Sequence, residues 1–129
     1  MRSLITTLFL LLSISGSSVA AEPTDAELGD WMNYLRSVGL EPTVTICGPA
    51  IGDEARMRAA ADAWSAANRA SVERGHATAS ANPPKGWGSL DAYNAAMVKD
   101  YEEKLTSKPA IKQLEICTQY LELLEKRAS

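Results

Sequence analysis

Histidine is almost absent from this sequence: His76 is the only one in 129 residues, and cysteine occurs only at Cys47 and Cys117. One imidazole and two thiols fall short of the four nitrogen or sulfur ligands of a structural zinc site. Haem attachment through two closely spaced cysteines and a following histidine is excluded by the same shortage. No glycine-rich phosphate loop occurs, because "CGPAIGDEA" has neither the glycine spacing nor the closing Lys-Ser/Thr. Basic clusters are missing as well: 13 Lys and Arg face 16 Asp and Glu, a formal net charge of −3. Phosphate backbones are held by clustered cations, so nucleic acid is set aside as a partner. No metal, no cofactor and no catalytic residue is expected from this inventory.

Long hydrophobic runs are also scarce, and the single one lies at the start. "MRSLITTLFLLLSISGSSVAAE" combines a short positive beginning, an apolar stretch from Leu4 to Leu12 and small residues ending at Ala20 and Ala21. This is the pattern of a secretory signal peptide, cleaved after Ala20 or Ala21. The apolar run is too short to cross a bilayer. The expectation is a signal peptide over residues 1–21 and a single helical domain over 22–129. That domain is periplasmic or secreted, with no membrane attachment after cleavage.

In an oxidising compartment two cysteines read as one disulfide, Cys47 to Cys117, with two separate buried thiols as the alternative. A catalytic thiol would need a neighbouring base, and His76 lies in a loop-like stretch.

The remaining chain reads as four helices. Thr24 and Glu27 form a capping box, and Leu28, Trp31, Leu35 and Val38 follow at helical spacing up to a stop at Gly39. Thr43 to Cys47 is β-branched and alternating, which predicts a short extended connector. A second helix, about Asp53 to Arg74, is alanine-rich and carries Met57, Ala60, Trp64, Ala67 and Ser71 on one stripe, with Gly75 as its stop. Residues 76–88 read as a long loop. Ser89 caps a third helix with Leu90, Tyr93, Met97, Tyr101 and Leu105 on one face. A fourth, about Ala110 to Lys126, turns Ile111, Leu114, Cys117, Leu121 and Leu124 inward. The predicted fold is all-α: a compact four-helix domain with a short extended connector and one disulfide.

Most carboxylates have a cation four residues away, such as Lys99 with Glu103 and Asp100 with Lys104, the spacing of solvated ion pairs. No acid has an evident apolar pocket, so an enzyme is not expected. Two features fit recognition instead. His76, Lys85 and Trp87 share the loop, where Trp87 either anchors a partner or folds back onto the core. Ile116 and Leu123, with Tyr120 between them and the core stripe, form a second apolar line on the last helix. It serves either a partner or homodimer surface, or a helix covered on both sides.

"AYNAAMVKDYEEKL", the short break after it and "KQLEICTQYLELLEK", with the alanine-rich helix and its aromatic-bearing loop, resemble a known layout. It is that of the small periplasmic amidase-immunity proteins of type VI secretion systems, matched over roughly Ala55 to Arg127. The resemblance implies an exported helical homodimer that protects a bacterium from an injected cell-wall amidase. Such proteins insert a protruding segment at the toxin's active site. Of the family's residues only the cysteine pair carries over, as Cys47 and Cys117 with a structural role. Cys47 departs from the layout by sitting in a connector rather than on an early helix.

The first expectation is therefore a non-enzymatic, immunity-type inhibitor with a secreted protein partner, occluding a cell-wall enzyme. The alternative is a periplasmic carrier of an apolar ligand or haem, lined by Trp31, Trp64, Tyr93, Met97 and Tyr101. Axial ligation by Met57 or Met97 with His76 belongs to that alternative. A third expectation, an enzyme using His76 and Glu73, ranks last.

Overall fold

Thr24 and Glu27 open the first helix as their spacing demands. The Thr24 hydroxyl accepts from the Glu27 backbone N–H at 3.2 Å, and the Glu27 carboxylate accepts from the Thr24 N–H at 2.7 Å. The computed structural model describes residues 22–128, so the signal peptide expected over 1–21 lies outside the described residues. Five helices follow: α1 Asp25–Ile51, α2 Glu54–Ala67, α3 Arg69–Ala81, α4 Leu90–Thr106 and α5 Ala110–Ala128. Among the described residues there is no strand. The all-α class and the disulfide stand; the count of four helices and the extended connector do not.

The connector is the second half of α1. Leu40, Thr43, Val44 and Cys47 are spaced as one helical face, and all four are buried. Pro42 and Pro49 lie inside the helix, and proline in a helix interior removes a backbone hydrogen bond. Burial of that face outweighs both the prolines and the β-branched bias. The Thr43 hydroxyl donates back to the Gly39 carbonyl at 2.7 Å, which spares it an unpaired polar group in the interior. Gly52, with φ at 71°, ends α1 in the left-handed region that glycine tolerates.

The fifth helix arises because the predicted second helix is interrupted at Asn68. This residue leaves helical geometry at φ −110° and ψ 10°, and its side-chain amide donates to the Trp64 carbonyl at 2.9 Å. Beyond it the helix resumes and runs straight through Gly75, which was expected to stop it. Gly75 is instead the point of closest approach between α1 and α3. A Cβ there would lie 2.7 Å from the Asp30 carbonyl carbon and 2.8 Å from the Tyr34 Cβ. Residues 76–81 are therefore helical, and the expected 76–88 loop shrinks to residues 82–89.

Cross-helix contacts fix the directions. Glu41 meets Arg58 and Asp30 meets Arg74, so α2 and α3 run back along α1. Tyr34 meets Asn94 and Thr43 meets Tyr101, so α4 runs parallel to α1. Cys47 is bonded to Cys117, with the two Cα atoms 5.2 Å apart. The core gathers there: Leu40, Val44, Cys47, Met57, Trp64, Leu105, Cys117, Leu121 and Leu124 form one buried cluster. Several expected core residues are not in it. Leu28, Trp31, Ile111 and Leu114 are all exposed, because no helix among the described residues covers the outer turns of α1 and α5 on their side.

Candidate functional site

Two neighbouring features stand out from the ordinary helix surface. The first is the end of the bundle made by the start of α1, the end of α3, the 82–89 loop and the start of α4. Buried Tyr34 ties it together. Its ring lies 5.3 Å from that of His76, and its hydroxyl accepts from the Asn94 amide at 2.7 Å. Asp30 accepts from Ser71 at 2.6 Å and from both forks of Arg74 at 2.8 and 3.0 Å. These bonds hold the Asp30 carboxyl below its ordinary pKa, with the Arg74 bond first and that of Ser71 next.

On this polar frame the apolar side chains are left open. Leu28, Trp31 and Met32 are 44 %, 40 % and 50 % exposed, and Trp87 is 44 % exposed. Trp87 follows a turn in which its N–H donates to the Pro84 carbonyl at 3.4 Å and Gly86 takes φ 85°. Its ring meets Tyr93 edge-on at 5.6 Å. Lys85 occupies the same turn and is exposed. His76 is exposed on α3 and shares a shallow hollow with Ser80, Pro83, Ser89, Leu90 and Asp91.

The second feature is a groove of about 270 Å³ between α1, α4 and α5. Met32, Leu35, Gly39 and Thr43 form one wall, Met97, Val98 and Tyr101 the opposite one, and Tyr120 closes it from α5. Arg36 is its sole charged lining residue. The Tyr101 and Thr43 hydroxyls are 2.6 Å apart. Since the Thr43 proton goes to Gly39, Tyr101 is the donor in that pair. Burial raises the Tyr120 pKa, with Tyr101 adding to it and Thr43 and Arg36 opposing.

The structure thus brings His76 to the Tyr34 frame and puts Lys85 and Trp87 in the neighbouring loop. Ile116 and Tyr120 lie half-buried against the core and Leu123 is half-buried, so the second stripe of α5 is largely covered by its own chain. The proposed haem ligands are scattered: Met57 is fully buried on α2, Met97 lines the groove, and His76 lies tilted against Tyr34. Of the residues expected to line an apolar carrier, Met97 and Tyr101 line the groove, whereas Trp64 is in the core and Trp31 is exposed outside it. Sequence reasoning missed Met32, Arg36 and Gly39. Their signal was a helical stripe with Leu35 and Thr43 that crosses the glycine taken for a helix end.

Both cysteines are consumed in the disulfide, and among the described residues no cluster of His, Cys, Asp and Glu could hold a metal ion. No described helix is long and apolar enough to cross a membrane. Comparison with models of known families, with curated proteins and with solved structures finds no match for this chain.

Proposed function

We propose that this protein is an exported, non-enzymatic binding protein of the immunity type, which occludes a secreted cell-wall amidase or similar toxin. The observation that carries the reading is the open aromatic end: Trp87 stands on a glycine turn beside Tyr93, above a frame fixed by Tyr34, Asp30 and Arg74. A large side chain held ready in this way loses little conformational freedom on binding, which is what an interface anchor requires. The place of Cys47 on α1 adds support, because it removes one departure from the layout of the amidase-immunity proteins.

The test is calorimetric titration of the oxidised protein with the product of the neighbouring gene. The expected result is nanomolar affinity, lowered about 30-fold or more by Trp87→Ala, as for an anchor residue. Absence of binding to that product and to cell-wall amidases of the same compartment would contradict the proposal.

A second reading, a carrier of a small apolar ligand, is favoured by one observation, the groove between α1, α4 and α5.

A further inference from the structure

Three of the six arginines among the described residues, Arg56, Arg58 and Arg74, fork onto a carboxylate. Arg56 forks onto Glu125 at 2.8 and 2.9 Å, Arg58 onto Glu41 at 2.7 Å twice, and Arg74 onto Asp30. Arg36 is different. It is half-buried on the groove wall, its guanidinium carbon lies 5.8 Å from the centre of the Trp64 ring, and its one side-chain hydrogen bond is to Asn33 at 3.3 Å. No carboxylate among the described residues forms an ion pair with it. Burial lowers its pKa, the like charge of Arg127 lowers it further, and Tyr120 opposes them. A cation withdrawn from water without a counter-charge is costly, and an anion in the groove would relieve that cost.

The groove specifies the rest of the ligand. Apart from Arg36, its walls are mainly Met32, Leu35, Met97 and Val98 with the aromatic faces of Tyr101 and Tyr120. From Met32 to Thr43 the α1 wall is about 16 Å long at the helical rise. A volume of about 270 Å³ is small beside the ~300–1,000 Å³ of sites for bulky ligands, and it suits one slim chain. Tyr101 has its proton committed to Thr43, and the guanidinium fork is the one charged donor on the groove lining. A planar fork matches a carboxylate in two-point contact.

We propose that this groove binds a single-chain, carboxylate-headed amphiphile, with the chain along Met32, Leu35, Met97 and Val98 and the carboxylate on Arg36. The proposal rests on the carrier reading and gives it a ligand class. Gly39 supplies a clean way to test it. This residue lines the groove, and a Cβ built on it meets nothing within 4 Å, so a larger side chain there starts in open space on the groove wall.

The experiment is titration of the oxidised protein with decanoate and with the neutral decan-1-ol, by calorimetry and tryptophan fluorescence. It is repeated on Arg36→Gln and Gly39→Leu variants whose helicity has been checked. Decanoate is expected to bind at least about ten-fold more tightly than the alcohol, a ratio set by one charge-assisted contact. Arg36→Gln should bring the two ligands together, and Gly39→Leu should abolish both. Equal binding of acid and alcohol to the unaltered protein would overturn the ligand class while leaving the carrier reading standing. Binding of neither would overturn both. A decanoate preference that survives Arg36→Gln would overturn the site, and that outcome is readable even if Gly39→Leu does not fold.

Discussion

One end of this bundle is closed by covalent and apolar forces, the other by polar bonds with apolar side chains left outside. At the closed end Cys47 and Cys117 join α1 to α5, and both belong to one buried cluster with Met57, Trp64 and Leu124. At the open end Asp30, Ser71 and Arg74 fasten α1 to α3, and Asn94 bonds Tyr34, while Trp31, Met32 and Trp87 face solvent. A single helix, α1, runs about 40 Å through both. Stability is concentrated where the apolar groups are hidden, and the exposed aromatics of the other end are where the proposed partner would dock.

Removing the bridge should destabilise the protein most. The 70-residue separation of Cys47 and Cys117 gives a loss of about 4 kcal/mol in the loop-entropy account, a large part of the stability of a small domain. Urea unfolding of Cys47→Ser/Cys117→Ser against the oxidised protein measures it, and an unchanged midpoint would show that the closed end does not depend on the bridge. Next in size is Gly75→Val, whose Cβ has no room between Asp30 and Tyr34. Overpacking of this kind costs about 1–3 kcal/mol, and here it should also loosen His76 and Asn94. Thermal unfolding checks the first effect and hydrogen exchange of α3 the second.

Gly39 lies between the two regions and should respond in the opposite sense. Gly39→Ala adds a methyl group into open groove and removes glycine's entropic penalty, so it should stabilise by about 0.5–1 kcal/mol in the same assay. The smallest effect is the pH response of the open end. The Asp30 pKa is below its ordinary 3.8 in the folded protein, so the contribution of this carboxylate is fully present above that value. It is lost as pH falls through the lower folded pKa. Asp30→Asn should flatten the acid limb of the stability curve below about pH 4, and a curve identical to that of the parent would remove Asp30 from the account.

These contrasts were unevenly legible in the chain. The capping box at Thr24, the Ser89 cap, and the inward set Cys117, Leu121 and Leu124 are local or strictly periodic signals, and each appears as expected. Pro42, Pro49 and the β-branched run from Thr43 to Ile46 pointed away from helix, and only the burial of Leu40, Val44 and Cys47 against other helices reversed that bias. Gly39 and Gly75 carry the look of helix stops, yet each lies inside a helix where a missing side chain makes room, for the groove and for α1 respectively. Trp31 and Leu28 have core spacing but no facing helix, and spacing within one helix cannot say whether another element reaches it. The groove was hidden for the same reason, since its walls come from three helices.

The proposed function requires Trp87 to serve binding and not folding. The most direct measurement takes Trp87→Ala and its parent through urea unfolding and calorimetric titration with the neighbouring gene product. Unfolding free energies within about 0.5 kcal/mol of each other and an affinity reduced about 30-fold or more are expected. A destabilised variant that still binds its partner as the parent does would contradict that requirement.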